Sequence, residues 1–293
     1  MPSVDIPSTG PEPWSVSRDL PPYRGILAVD AKDFTGRPAV DHVEITSIIP
    51  QLLEHALDRA GLRQLWAEQR FANNTGDGFV LGFDPVALPR VIHPFLAELQ
   101  EVLTDYNIHA TGTRRLRLRA SLHVGPLPDG GGPGDGNGTP RNDTHRLLDS
   151  RPVRAILSAS SESITQVAAI VSQRVFEDAV LSGYTRRHPD HFIEVPATVE
   201  GKNFQQRAWL YVPAPSGNLY DRRILGEDAV PSAEAQPRAG ESPAGRPESP
   251  AQQPAAPVAR YDRSFISNPG TVHGGQHINN YDGPGRPGEG TVR

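Results

Sequence analysis

Apolar residues between Tyr23 and Val212 fall into short runs and helical stripes. Arg24-Gly25-Ile26-Leu27-Ala28-Val29-Asp30 is an apolar run that closes on a carboxylate, the pattern of a buried strand. Over residues 43–65, Val43, Ile45, Ile48, Ile49, Leu52, Leu53, Ala56 and Leu57 recur at helical spacing, which predicts one helix or two broken near Pro50. Residues 70–73 and 79–83 flank Asn74-Thr75-Gly76-Asp77-Gly78 and read as a β-hairpin around a glycine-bearing turn. Residues 88–103 read as helix, and residues 116–124 alternate as a strand does. A glycine-rich loop covers residues 126–141. Then come helix (145–157), strand (164–171), helix (173–181) and two closing strands (192–199, 207–212) around Glu200-Gly201-Lys202-Asn203. The order β-α-β-β-α-β-α-β-α-β-β, with a hairpin in its middle, predicts an α+β or α/β sandwich built on a split βαββαβ core.

Composition divides the chain. Of 293 residues, 37% are hydrophobic, while Gly and Pro number 28 and 30. That is too apolar for disorder throughout and too rich in Gly and Pro for one packed body throughout. The expected organisation is a disordered lead-in (1–22), a globular domain (23–214), an Ala/Pro-rich linker (215–262) and an uncharged tail with the terminus (263–293). A net charge of −5 supplies no pull towards nucleic acid or anionic lipid. The absence of cysteine excludes disulfides and thiolate metal sites. No apolar stretch of about 18 residues is present, so no membrane span is expected. The lead-in lacks the apolar segment of a secretory signal, so the expected location is the cytoplasm.

Asp30 at a strand end and Asp77 in a hairpin turn are, taken singly, ordinary turn-forming residues. A split βαββαβ core places the first strand beside the hairpin, so both carboxylates reach one edge of the sheet. Two oxygen ligands there suit Mg²⁺ or Mn²⁺, which take a few carboxylates and fill the remaining positions with water and phosphate oxygens.

At this point the chain resembles the class III nucleotidyl cyclases, the adenylyl and guanylyl cyclase catalytic domain. Val29-Asp30-Ala31-Lys32-Asp33-Phe34-Thr35 is similar to the family's opening strand, Asp, three residues and Phe-Thr. Gly76-Asp77-Gly78 stands for the second metal-binding Asp, and Arg119, His123 and Gly125 match the Arg, four residues, His-x-Gly strand. Asp135, Gly138, Asn142, Arg146 and Leu147 keep the spacing of the family's Asp-x-x-Gly-x-x-x-Asn-x-x-x-Arg-Leu. The resemblance covers about residues 22–214. It implies the α+β, ferredoxin-like core of the class III cyclase type. It also implies Asp30 and Asp77 as metal ligands, Arg119 on the triphosphate, Asn142 orienting the ribose and Arg146 stabilising charge on the reacting phosphate. Phe34, Thr35, Asn73, Asp135 and Lys202 fall at substrate-facing positions of the pattern. The implied reaction turns a nucleoside triphosphate into a 3′,5′-cyclic nucleotide and pyrophosphate by two-metal catalysis in a homodimer, with metal carboxylates from one subunit and Asn/Arg from the other. Asp33 replaces a glycine, Asn73 replaces the purine-reading residue and Glu200 replaces the lysine of the closing turn, so base identity does not carry over.

The remaining chemistry reads more plainly. His123 is expected as a packed, hydrogen-bonded histidine, and no zinc spacing is present. The run Arg114-Arg115-Leu116-Arg117-Leu118-Arg119 is expected to be a strand with solvated arginines and one inward residue, not a nucleic-acid surface. From Ser264 to Tyr281 no residue is charged, and two β-prone pieces flank Gly274-Gly275. That segment resembles bacterial amyloid-signalling motifs, which implies a protein partner reached by strand stacking; a plain tail is the competing reading. Two functions stay open: a cyclase, or a catalytically inactive cyclase-like module that binds nucleotide or dimerises and is coupled to the tail.

Overall fold

The structure is a computed structural model and describes residues 12–217. Residues 1–11 of the expected lead-in, the expected linker beyond 217 and the segment 264–281 read as a tail motif lie outside the described residues. β1 (Tyr23–Ala31), β2 (Arg70–Asn74), β3 (Gly78–Phe83), β4 (Leu118–Pro126), β5 (Val167–Ser172), β6 (Phe192–Thr198) and β7 (Gln205–Tyr211) form one sheet in the order β2-β3-β1-β4-β5-β7-β6. Every neighbouring pair is antiparallel except β4 and β5. The first four strands reproduce the ferredoxin-like core that the hairpin and the element order predict, and β5 to β7 extend it. The fold class is α+β.

Central β1 is buried on both sides, which is why it reads as an unbroken apolar run. Leu27, Val29 and Ala31 pack under α1 (Ala39–Arg59) and α4 (Leu96–His109), against Ile45, Ile49, Leu96 and Leu99. Ile26 and Ala28 face the opposite layer and meet Val80 and Leu148. That second layer is α5 (Thr139–Asp149) and α6 (Arg151–Ala159), whose Leu147, Val153 and Ile156 cover Ala168, Ile170 and Ala208. Each such buried aliphatic side chain contributes about 2 kcal/mol, so the two layers fix where the polar end of β1 must sit.

Three helix expectations are corrected, and one open alternative is settled: Pro50 lies inside α1 without breaking it. A proline there denies the Thr46 carbonyl its helical donor, and the Asn74 amide supplies a replacement at 3.0 Å from the hairpin. The helix then stops at Arg59, and α2 (Arg63–Ala67) follows separately. Residues 88–103 are not continuous α-helix: α3 (Leu88–Arg90) passes into a π-helical stretch, Val91–Phe95, before α4. His93 is extended there (φ −154°, ψ 123°), as a residue preceding proline tends to be. Residues 145–157 divide between α5 and α6 at Ser150, whose backbone is extended (ψ 148°) and whose hydroxyl donates to the Leu147 carbonyl. After β5, α7 (Gln173–Val175) continues into a π-helical segment, Phe176–Leu181. Among the described residues, no helix is long and apolar enough to cross a membrane.

Candidate metal and phosphate site

Backbone register brings the two carboxylates together. Asp30 stands opposite Gly78 of β3 on one side and opposite Arg119 of β4 on the other. Gly78 is a close approach: a Cβ there would lie 2.0 Å from the Val29 carbonyl oxygen, so only glycine lets the hairpin start this near β1. Asp77 is the residue before it, and its carbonyl accepts from the Ala31 N–H at 2.8 Å. The Thr46 hydroxyl donates to the Gly76 carbonyl at 2.5 Å, and the Asn74 side chain accepts from the Gly76 N–H at 2.8 Å while donating to Thr46. Helix α1 therefore clasps the turn that carries Asp77. Both aspartates line a cavity of about 300 Å³ together with Arg119, Thr35, Asp149 and Arg154.

Asp30 is nearly buried and takes a two-toothed grip from Arg119, Nε to Oδ1 at 2.7 Å and Nη2 to Oδ2 at 2.8 Å. Burial pushes the Asp30 carboxyl up to about 6; Arg119 pulls it down, and the Asp77 and Asp149 carboxylates add to the rise. The pair is thus ionised at neutral pH but stands close to its protonation limit. Asp33, which replaces a glycine of the resembling pattern, holds left-handed backbone (φ 58°) and pairs with Lys32. Aspartate tolerates this conformation better than most side chains, which explains why the exchange does not disrupt the turn into Phe34 and Thr35. Both of those residues line the cavity.

Other sequence-nominated residues stand elsewhere in the chain's own fold. Asn142 is exposed on α5, and Arg146 pairs with Asp143 at 3.2 Å and lies over the Phe204 ring at 5.6 Å. Neither lines the Asp30 cavity. Asn73 is exposed on β2, opposite Val80. Asp135 closes its own loop by accepting the Gly131 N–H at 2.6 Å. Lys202 lies 3.9 Å from Asp149 in an adjoining cavity of about 530 Å³ that shares Asp149, Arg154 and Ser158 with the first.

Reading the sequence missed Asp149 and Arg154, because a helix spanning 145–157 conceals the break at Ser150 that turns both towards β1. It also missed His145, half-buried near Asp77 and Asp149, whose imidazole burial and Arg141 hold below the usual histidine range. His123 is packed as expected, but its buried Nδ1 has no hydrogen-bond partner among the described residues, and burial lowers its basicity.

The donor set fits a hard divalent cation better than zinc. Asp30 and Asp77 offer carboxylate oxygens on one cavity, and Mg²⁺ is commonly held by one or two carboxylates with phosphate oxygens completing the shell. No group of three or more His, Asp or Glu side chains among the described residues is arranged to hold a metal by itself.

No protein-family profile matches the chain, and no curated protein matches it. Solved structures do. The chain is similar to an adenylate/guanylate cyclase/hydrolase from Silicibacter pomeroyi, at 20% identity over 66% of this chain and 97% of that one, with a TM-score of 0.44. It is similar to the guanylyl cyclase Cya2, at 18% identity over 68% of this chain and 95% of that one, TM-score 0.44. A monomeric guanylyl cyclase domain of the RhoGC fusion protein from the aquatic fungus Blastocladiella emersonii is similar at 13% identity over 67% and 96%, TM-score 0.40.

Proposed function

We propose that the chain is a nucleotidyl cyclase that converts a nucleoside triphosphate to a 3′,5′-cyclic nucleotide and pyrophosphate. The observation that carries this reading is the meeting of Asp30, Asp77 and Arg119 on one cavity from three separate strands and turns. In the reaction the substrate's 3′-oxygen bonds to the α-phosphorus, and the bond from that phosphorus to the α,β-bridging oxygen breaks. Pyrophosphate departs with the electron pair, and the hydroxyl proton passes to solvent. Two magnesium or manganese ions held by Asp30 and Asp77 would activate the attacking hydroxyl and offset the negative charge on the phosphates and leaving group. Arg119, freed from Asp30, presents two N–H groups spaced for phosphate oxygens. Asn142 and Arg146 do not reach this cavity in their own chain, so the reading requires a homodimer in which a second copy supplies them to the ribose and α-phosphate. In that reading Phe34 and Thr35 close on the phosphates.

The competing reading, a catalytically silent nucleotide-binding or dimerising module, draws on one observation: Asp30 is already neutralised by Arg119. Turnover of each of the four ribonucleoside triphosphates with Mn²⁺ separates the two. The cyclase reading expects a cyclic product from wild type and at least a 100-fold loss in Asp77→Asn, with fold and dimer intact, since an amide is a poorer ligand for a hard ion. It also expects activity to return when inactive Asp30→Ala and Arg146→Ala chains exchange subunits. No cyclic product from any of the four substrates favours the silent module.

A further inference from the structure

Beside the Asp30 cavity lies a second one of about 450 Å³, lined by Lys32, Arg37, Arg115 and Arg117 with two carboxylates, Asp33 and Glu162. We propose that it binds a compact phosphate anion of pyrophosphate size, at a site distinct from the carboxylate cavity. Four cations face two carboxylates, leaving an excess of two positive charges in a concave lining.

The floor is built for an anion that the chain does not itself provide. The Arg117 side chain is 8% exposed. Its Nε donates to the Thr165 carbonyl at 2.9 Å and its Nη2 to those of Leu157 and Ser160 at 2.7 and 3.2 Å. These oxygens are neutral, so they orient the guanidinium without compensating its charge. Its Nη1 is buried and has no hydrogen-bond partner among the described residues. The Glu162 carboxylate stands 3.6 Å from that nitrogen, beyond hydrogen-bond reach, on a side chain that is 76% exposed. Glu162 is therefore a displaceable counter-charge over an unfilled donor. The rim is braced, because Arg37 donates from Nη2 to the Arg115 carbonyl at 2.8 Å and the Lys32 carbonyl at 3.3 Å. Guanidinium forks and an ammonium converging on one hollow match a tetrahedral oxyanion, which offers several acceptors in different directions. The neighbouring cavity sets Asp30, Asp33, Asp77 and Asp149 against Lys32, Arg119 and Arg154, so without a metal ion it lacks this positive excess.

Calorimetric titration of the full chain with sodium pyrophosphate in metal-free buffer tests this independently of turnover. Binding at one site per chain is expected. Glu162→Gln should tighten it about three- to tenfold by removing the competing carboxylate, and Arg115→Gln should weaken it by a similar factor. Arg154→Gln, in the adjoining cavity, should change it little. Parallel titrations with metal-free ATP and GTP identify the source of the phosphate. If Glu162→Gln tightens nucleotide and pyrophosphate equally, the site takes a nucleotide's phosphate tail; if only pyrophosphate, it takes the free anion. The proposal is overturned if neither wild type nor Glu162→Gln binds, or if binding responds to Arg154→Gln and not to Arg115→Gln.

Discussion

Arg117, the residue before β4, and Arg119, the second residue of that strand, lie on the same face, and their surroundings give them different roles. Arg119 meets a carboxylate, Asp30, in a pair whose partner titrates near physiological pH and whose guanidinium fork suits phosphate. Arg117 meets three backbone carbonyls from the end of α6 and the segment after it. The Arg119 fork can change partners; Arg117 holds a chain reversal in place through Nε and Nη2 and leaves only Nη1 to an outside anion. A spacing of two puts both on one face, but the partner each finds depends on what the crossover from β4 to β5 lays over that face.

The largest effect that separates the two is on stability. Replacing Arg117 by Gln strips donors from the carbonyls of Leu157, Ser160 and Thr165 at once. Removing the buried partner of several acceptors costs about 3–5 kcal/mol, a large share of a small domain's total stability. Chemical denaturation should show this loss for Arg117→Gln and a clearly smaller one for Arg119→Gln, whose abandoned partner can take up a proton. Equal losses would remove the distinction between staple and exchangeable partner.

How far this arrangement was legible in the sequence follows from range. Asp30 and Asp77 were readable because a strand end and a hairpin turn are local patterns, and the split core places them side by side by short connections. Gly78 shows the same locality, since its missing side chain is what lets β3 begin against Val29. Arg117 was not readable: the alternating run 114–119 predicts solvated arginines and one inward residue, and the structure turns two arginines inward, Arg117 buried and Arg119 partly so, because α6 supplies carbonyls that no spacing along the strand reveals. Asp149 and Arg154 were hidden for a related reason. Their position depends on Ser150 turning the chain between α5 and α6, where Asp149-Ser150-Arg151-Pro152 interrupts the apolar stripe that a single helix over 145–157 would need. Pro50 left two readings open, since the donor that serves α1 in its place comes from Asn74, 24 positions later in the chain.

A second, smaller effect sharpens the contrast through pH. Asp30 stands near 6 in the folded chain against an ordinary value of 3.8. Its folded value is raised, so between about pH 4 and 6 the folded state holds a proton that the unfolded state has released. Folding stability from this group is then greatest below pH 4 and declines as pH rises to 6, by about 3 kcal/mol. Subtracting the curve of Asp30→Asn from that of wild type isolates the contribution, because the variant cannot titrate there. A difference curve that rises with pH over this window would mean that Arg119 outweighs burial, and that the pair stabilises the fold as Arg117 does.

The smallest expected effect lies at the other carboxylate and tests why the Asp77 turn is held where it is. Asn74 donates to the Thr46 carbonyl and accepts from the Gly76 N–H, both at positions that water reaches in part. Asn74→Ala should therefore cost only about 0.5–1 kcal/mol, the net worth of such hydrogen bonds, while amide exchange at Gly76 accelerates. The cost arises in part because Pro50 cannot donate to Thr46, which makes it conditional on that proline. In a Pro50→Ala background the helix supplies its own N–H to the Thr46 carbonyl, and Asn74→Ala should then cost measurably less. A double-mutant cycle on Pro50 and Asn74, with Thr46 left unchanged, reads this coupling directly. If Asn74→Ala costs the same in both backgrounds, the amide serves only its own turn, and α1 and the Asp77 hairpin are joined by the Thr46 hydroxyl alone.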